Sequence, residues 1–222
     1  MKRLGKKLLV TLGTVIVLCI VIMIFLLVRV ERKTDLINDD FSAVFDDDKY
    51  SKAIRINNIT LIQQKVSCGY ATIEMFSDWS GGDITEKTLY DNYGKVVTST
   101  GTSFCKEMNK QFPQYETTMY SYLTNRELID KVYDSLANGI PVPFEWAAEY
   151  GDTWTLHYSL IVGMDVENNK ITVANPYGYY EELSFDEFLD RTRFDAYENI
   201  PFYLKLAFSL GLFEKNTVFI VK

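Results

Sequence analysis

A run of 21 residues without a charged side chain, Leu8 to Val28, constrains this chain of 222 residues more than any other feature. At about 1.5 Å per residue, a helix of that length spans roughly 30 Å, the hydrocarbon thickness of a bilayer. The run is followed by Arg-Val-Glu rather than by a small-residue cleavage site, which is atypical of a signal peptide. We therefore predict that residues 8–28 form an uncleaved transmembrane anchor in contact with the lipid bilayer.

Basic side chains flank this run on both sides, four before it and three after it. The small excess on the first side, together with the free amino group, favours an amino terminus in the cytoplasm. We therefore predict a single-pass membrane protein whose following domain lies outside the cytoplasm.

The charge of the chain is divided unevenly along its length. The first 33 residues carry seven basic and one acidic side chain, so the formal net charge of −7 leaves −13 for the remainder. That remainder contains no basic stripe with interleaved aromatic residues, so we expect no nucleic acid partner. We interpret the negative charge of this part as a contribution to solubility. The alternative is that it binds a basic peptide partner.

Composition divides the chain into three parts. Residues 1–33 form a cytoplasmic tail and anchor, and the polar, acidic residues 34–58 predict a tether with a short helix near residues 41–45. Residues 59–222 are long enough to bury a core of their own. Cys68 and Cys105 are the cysteines of this part, and a disulfide between them is an alternative for an exported protein.

Helical signals come first in this domain. Apolar residues recur at helical spacing, and two capping-box patterns begin at Thr124 and Ser184. These patterns predict helices over Gly69–Trp79, Asp83–Tyr93 and Ser103–Phe112, one from Thr124 to Gly139, and a short one after Ser184, with residues 98–102 as a loop.

Strand signals follow, with a period of two residues. They predict strands over Ile140–Ala147, Thr155–Asp165, Lys170–Ala174, Tyr179–Leu183 and Thr217–Val221, with Asn168 and Asn169 as a hairpin turn. A helical half followed by an antiparallel sheet predicts the α+β class.

The residues with the clearest chemistry are Cys68, at the start of a predicted helix, and His157, the only histidine of the chain. A helix amino terminus favours the thiolate that a cysteine nucleophile needs, and Gly69 keeps space beside the sulfur for a substrate carbonyl. An imidazole base within an apolar strand is the partner such a nucleophile requires.

Two further residue types complete this chemistry. The hairpin turn brings Asn175 beside the strand that carries His157, where an amide oxygen can fix the imidazole tautomer. Gln63 and Gln64 precede Cys68, and a side-chain amide from either could join the Cys68 backbone N–H in stabilising an oxyanion. The alternatives are that Asn175 and Pro176 simply form a turn and that the two glutamines are ordinary surface residues.

The ordered set of these motifs resembles the papain-like cysteine peptidases, and more narrowly the bacterial branch that contains the double-glycine leader peptidases. The matching stretches are Gln63–Trp79, His157–Asp165 and Val173–Gly178. The resemblance implies a papain-like cysteine peptidase fold, a peptide or protein substrate and no cofactor.

Carried over to this chain, the resemblance makes Cys68 the nucleophile, His157 the general base and Asn175 the orienting residue. The family usually has its oxyanion glutamine six residues before the cysteine, where this chain has Ile62. We therefore assign the oxyanion role to Gln64, with Gln63 as the alternative.

Some features and functions remain outside this assignment. The apolar segment 200–213 predicts core packing or a contact with the membrane or a partner, and Thr153-Trp154 and residues 177–180 are candidates to line a cleft. An amidase or acyltransferase on the same fold, and a catalytically silent binding or immunity module, are rival functions. A metal enzyme is disfavoured because the chain has a single histidine.

Overall fold

The computed structural model describes residues 2–94, 98–194 and 200–222. In these residues the helices are α1 (Lys2–Ile37), α2 (Cys68–Trp79), α3 (Glu86–Tyr93), α4 (Gly101–Gln111), α5 (Asn125–Ala137), α6 (Phe185–Arg193) and α7 (Phe202–Ser209). The strands are β1 (Ile54–Arg55), β2 (Thr117–Tyr120), β3 (Val142–Tyr150), β4 (Thr153–Asp165), β5 (Lys170–Asn175), β6 (Tyr179–Leu183) and β7 (Thr217–Val221).

Side-chain caps explain where several helices begin. The box predicted at Thr124 is present, because its hydroxyl accepts from the Glu127 N–H and the Glu127 carboxylate accepts from the Thr124 N–H. At the start of α6 the Ser184 hydroxyl accepts from the Glu187 N–H, which is one of the two hydrogen bonds of the box predicted there. Helix α4 begins earlier than predicted because Thr100 and Ser103 form a capping box of two hydroxyl residues, a weaker sequence signal.

All strands pair antiparallel in one sheet with the order β2-β7-β3-β4-β5-β6, and β1 pairs with the far end of β4. The long strand β4 changes register between Ile161 and Gly163, which is a bulge opposite β5. Helices α2 and α5 pack on the sheet, and buried aromatic rings including Trp146, Tyr158 and Phe104 fill the core. The predicted helical half and antiparallel sheet are confirmed.

Two strands were not predicted. The edge strand β2 pairs with β7 through registers such as Thr117 with Val221 and Tyr120 with Val218. Its four residues carry too short an alternation to be recognised alone. The two-residue strand β1 depends entirely on its pairing with Gly163 and Met164.

Residues 34–58 differ from an extended tether. Their apolar side chains Val44, Tyr50 and Ile56 are buried in the core of the domain. The Asn125 amide also donates to the Asn38 side chain and to the Asp39 carbonyl oxygen. The acidic composition of this segment therefore gave no indication that it packs on the domain. The domain boundary at residue 59 stays a prediction.

The first helix is long and its apolar run is exposed. Helix α1 contains the charge-free run, and by length and composition it is the helix, within the described ranges, that could cross a membrane. Its last turn contacts the domain, since Thr34 and Ile37 are buried.

Candidate active site

Cys68 is the first residue of α2, and the preceding Ser67 has the extended backbone of a helix cap. Because α2 packs on β4, the thiol lies beside the strand that carries His157, and the Tyr158 backbone hydrogen-bonds to it. The first N–H groups of a helix lack partners within the helix, so this position presents backbone donors beside the sulfur. The predicted position of Cys68 at a helix start is confirmed.

The loop before Cys68 is held by Glu86, which the sequence did not single out. Its buried carboxylate accepts from the backbone N–H groups of Lys65, Val66 and Ser67 at 2.8, 2.8 and 2.7 Å. The Glu86 N–H in turn donates to the Glu74 carboxylate of α2 at 2.6 Å. One acidic side chain thus fixes the backbone between Gln64 and Cys68.

Replacing Glu86 by Gln is expected to lower the free energy of unfolding by about 2 kcal/mol, because hydrogen bonds to a charged acceptor are worth about 1.5 to 3 kcal/mol. We also expect at least about a tenfold slower acylation of Cys68, since its loop loses its anchor. Chemical denaturation and the rate of ester acylation measure the two effects. Asp91→Asn, at an exposed site on the same helix, is the control and should change neither; unchanged values in Glu86→Gln would contradict this role.

His157 and Asn175 lie in direct contact. The His157 Nε2 atom is 3.0 Å from the Asn175 Oδ1 atom, and both residues are almost fully buried. Strand β4 carries the histidine and the end of β5 carries the asparagine, with Leu160 opposite Ala174. The proximity predicted from the hairpin is confirmed, and the catalytic roles stay predictions.

The neighbours of Asn175 determine the tautomer of His157. The Tyr177 backbone N–H donates to Asn175 Oδ1 at 3.0 Å, and Asn175 Nδ2 donates to the Glu181 carboxylate at 2.9 Å. An N–H can only donate and a carboxylate only accepts here, so the orientation of the amide is fixed. His157 therefore carries its proton on Nε2, and Nδ1 remains free to accept another.

The Asn175 amide is supported from behind by an ion pair. Glu181 pairs with Arg191 of α6 at 2.5 Å, and the guanidinium lies over the Trp146 and Trp154 rings. This chain of contacts runs from the sheet to α6 and holds the orienting amide in place. No motif marks Glu181 or Arg191 in the sequence, because their partners lie six to ten residues apart on different elements.

Cys68 and His157 open into the same cleft, which has a volume of about 350 Å³. Its walls include Gln64, Trp154, Tyr177 and Tyr203. The Tyr177 ring lies against the imidazole, with 4.4 Å between ring centroids. Of the aromatic residues expected to line a cleft, Trp154 and Tyr177 do so, whereas the Tyr180 hydroxyl donates to the Ile59 carbonyl.

The two glutamines have different surroundings. Gln64 lines the cleft, and its backbone N–H donates to the Pro176 carbonyl at 2.7 Å. Gln63 is exposed and bridges to Tyr177, with its side chain against Gly178. Gln64 Oε1 is buried without a hydrogen-bond partner among the described residues. This geometry favours Gln64 over Gln63 for the oxyanion role.

Burial sets the protonation of both reactive groups. Burial raises the pKa of the Cys68 thiol to about 11, and hydrogen bonds with the backbone at Tyr158, Gly69 and Cys68 itself only partly oppose this shift. Burial lowers the pKa of His157 to about 4, partly offset by the Asn175 hydrogen bond. At neutral pH the site therefore holds a thiol and a neutral imidazole, and the thiolate that a helix start favours is not the resting form.

Gly69 serves packing rather than substrate access. A Cβ atom at this position would lie 2.5 Å from the Thr98 hydroxyl oxygen, and the Thr98 side chain also contacts the Ser67 hydroxyl at 3.2 Å. The glycine therefore allows the loop at Thr98 to approach the start of α2. The expected role of an open space beside the sulfur is replaced by this close contact.

A buried carboxyl group, that of Glu145, lies close enough to Cys68 to affect its pKa. Glu145 of β3 is opposite Tyr158 in the sheet and accepts a hydrogen bond from its hydroxyl at 3.3 Å. Burial raises the pKa of Glu145 to about 8, so the carboxyl is mostly protonated at neutral pH. When Glu145 ionises, its charge raises the pKa of Cys68 further.

The second thiol of the domain and a second cavity lie elsewhere. Cys68 and Cys105 are both free, and the Cys105 thiol donates to the Thr117 carbonyl at 3.4 Å, so the disulfide alternative is not formed. A cavity of about 600 Å³ between α5 and the strands β2 and β7 is lined by residues such as Lys131 and Asp134. It lacks the nucleophile and base, so the smaller cleft is the candidate active site.

A cysteine that opens a helix and a histidine–asparagine pair on an antiparallel sheet define the papain-like class of cysteine peptidase folds. The chain belongs to the Peptidase_C39 like family, whose model matches residues 56–202.

Two solved peptidase structures are similar to this chain. One is the crystal structure of a double glycine motif protease from an AMS/PCAT transporter in complex with the leader peptide. It has 13% identity and a TM-score of 0.50, and the match covers 76% of this chain and 93% of that chain. The other is the peptidase domain of Streptococcus ComA, a bifunctional ABC transporter involved in quorum sensing, with 15% identity, a TM-score of 0.46 and coverage of 73% and 97%. No curated protein sequence matches the chain.

Proposed function

We propose that this chain is a membrane-anchored cysteine peptidase that cleaves a peptide or protein amide bond through an acyl-enzyme on Cys68. The observation that carries the proposal is the amide network around Asn175, which leaves His157 Nδ1 unprotonated in the cleft that contains Cys68. This tautomer leaves one ring nitrogen able to accept the thiol proton, as a general base requires. Family membership and a leader peptide bound to a protein of similar fold support the same substrate class.

The first half of the proposed reaction forms a thioester. His157 Nδ1 removes the proton from the Cys68 thiol as the sulfur attacks the carbonyl carbon of the substrate. Because the resting groups are neutral, this transfer takes place with attack rather than before it. The Cys68 N–H and the Gln64 side-chain amide donate to the developing oxyanion. His157 then returns the proton to the leaving amine, and the C–N bond breaks.

The second half releases the acid. His157 removes a proton from water, the hydroxide attacks the thioester carbonyl, and the Cys68 thiol leaves with the proton returned to sulfur. Asn175 accepts the Nε2 hydrogen bond throughout and stabilises the imidazolium formed in each half. The reaction as written needs no cofactor. An amidase or acyltransferase would use the same groups with another acceptor.

Location and domain division belong to the same proposal. Residues 1–33 form the cytoplasmic tail and anchor, and the catalytic domain lies outside the cytoplasm, as the charge around α1 favours. The segment 34–58 is then the connection that rests on the domain near the membrane.

A peptide-library digestion tests the proposal. The full chain in detergent micelles is incubated with peptides prepared from a bacterial proteome, and new peptide termini are identified by mass spectrometry. We expect cleavage by the unmodified protein and by Cys105→Ser, and none by Cys68→Ala. Equal cleavage by Cys68→Ala would contradict the role of Cys68 as the nucleophile. No cleavage by any protein at any pH at which it is folded would support the silent binding module.

A further inference from the structure

One face of α1 is partly shielded within the apolar run itself. Met23, Leu26 and Leu27 are partly shielded, whereas Val21, Ile22, Ile24 and Phe25 around them are exposed. Positions three and four apart share one helix face, and the buried Thr34 continues that face toward the domain. Helix α7 packs beside α1. The domain therefore reaches the last turns of the proposed membrane span.

The depth of this contact follows from helix geometry. Met23 lies five residues before Val28, the last residue of the apolar run, which corresponds to about 8 Å along the helix axis. An amphipathic helix in the plane of a membrane buries its apolar face by about 5–10 Å. Helix α7 is therefore level with the zone between headgroups and acyl chains.

The two faces of α7 have different surroundings. Leu204 and Phe208 are buried in a small apolar cluster with Ala147 of the sheet. Phe202 and Tyr203 lie on the other side of the helix, together with Leu210 directly after its last residue, and the three are 66%, 65% and 54% exposed. At about 100° per residue these three positions fall within one arc of about 100°. For residues 200–213 the sequence predicts either core packing or a contact with the membrane or a partner. Core packing accounts for one face of α7, and the other face is exposed.

The charge near this face fits a bilayer with anionic lipids. Lys205 of α7 is exposed, and Arg29, Arg32 and Lys33 at the end of the proposed span are exposed as well. These basic groups stand out because the chain after residue 33 carries a formal charge of −13. Basic residues near a membrane surface attract anionic headgroups by about 1 kcal/mol each.

We propose that α7 seats its exposed apolar face in the bilayer that α1 crosses, so that the catalytic cleft opens at the membrane surface. Tyr203 links the two regions, since it belongs to the exposed face and also lines the cleft with Cys68 and His157. The substrate is then a peptide segment that lies at the bilayer surface, beside a membrane span or a lipid anchor. This substrate class rests on the proposed function and on the proposed span.

Fluorescence quenching tests the membrane contact without catalysis. A single cysteine is introduced as Phe202→Cys in the full chain carrying Cys19→Ser, Cys68→Ala and Cys105→Ser, and it is labelled with an environment-sensitive fluorophore. The protein is placed in nanodiscs of phosphatidylcholine and phosphatidylglycerol with a nitroxide on the upper acyl chain. We expect strong quenching at position 202 and weak quenching at the control Tyr90→Cys on α3, which is 40% exposed. Equal quenching at the two positions would overturn the proposal.

Cleavage of matched peptides tests the substrate class. The same peptide is offered free in solution and through a lipid anchor on vesicles of the same composition, with the unmodified protein, Phe202→Asp and Tyr90→Asp. Phe202→Asp is expected to lower cleavage of the anchored peptide about tenfold relative to the free peptide, since it removes an apolar contact with the bilayer. An equal effect on both peptides would overturn the substrate class. Absence of cleavage by all three proteins would instead reject the proposed function, while the quenching result would still decide the membrane contact.

Discussion

Replacing His157 by Gln is expected to lower kcat/KM for peptide cleavage by about a hundredfold to ten-thousandfold, the range contributed by a positioned general base. Gln keeps a polar side chain that can hydrogen-bond to Asn175, but it cannot remove the thiol proton. Kinetics on a peptide identified in the library digestion measure the loss. A retained rate within about threefold, in a protein with unchanged unfolding, would contradict the role of His157.

The pH profile gives an independent measure of the same base. Cleavage requires the neutral imidazole, and burial lowers the pKa of His157 to about 4. Activity should therefore persist below the ordinary histidine pKa of 6.5 and fall only as the pH approaches 4. Asn175→Ala should lower the rate of cleavage and also the pH at the midpoint of this loss of activity. The hydrogen bond from Asn175 raises the pKa of His157, so its removal lowers that pKa further. A midpoint near 6.5 in the unmodified protein would contradict the buried imidazole.

Replacing Glu145 by Gln is expected to stabilise the folded protein more at about pH 8.5 than at about pH 4.5. The change in the free energy of unfolding that the replacement causes should differ between these two pH values by an amount on the order of 4 to 5 kcal/mol. The folded protein holds the Glu145 proton up to about pH 8, whereas the unfolded chain releases it near 4.5. Between these values the folded state binds more protons, so the stability of the unmodified protein falls as the pH rises. Gln cannot ionise and does not contribute this loss.

Urea unfolding of the full chain in detergent micelles at several pH values measures this difference. Glu116→Gln, at an exposed carboxylate of the loop before β2, is the matched control and should follow the unmodified protein at every pH. Parallel stability curves for the unmodified protein and Glu145→Gln would show that Glu145 is already ionised in the folded state.

Local sequence patterns predicted much of the fold. The uncharged run predicted α1, the Thr124 capping box predicted α5, and the turn at Asn168 and Asn169 set the register of β4 and β5. Asn169 has a backbone φ of 49°, a conformation that asparagine tolerates well. Because that turn fixes the register, the contact between His157 and Asn175 could be predicted as well.

Contacts between distant parts of the chain account for what was missed. Glu86 holds backbone groups 19 to 21 residues away, and at the start of α3 it resembles any acidic residue in a first helical turn. The short strand β2 exists because β7, about a hundred residues later, pairs with it. The acidic segment 34–58 packs through isolated apolar residues such as Val44, which have no periodic neighbours.

The protonation of the site also could not be predicted from the sequence. The helix start at Cys68 favours a thiolate, and the sequence contains no measure of the burial that opposes it. Burial outweighs the helix terminus for the thiol and keeps the His157 imidazole neutral. The position of each group was therefore predictable, and its charge was not.

Acylation by an activated peptide ester tests the central claim most directly, since it does not require the natural substrate. The full chain is mixed with a short peptide p-nitrophenyl ester, quenched with acid at increasing times, and analysed by intact mass and peptide mapping. The account predicts a transient acyl group on Cys68 that forms and hydrolyses quickly in the unmodified protein, forms slowly in His157→Gln, and is absent from Cys105. Acylation of Cys105 at the same rate as Cys68, or acylation of Cys68 at a rate that His157→Gln leaves unchanged, would contradict it.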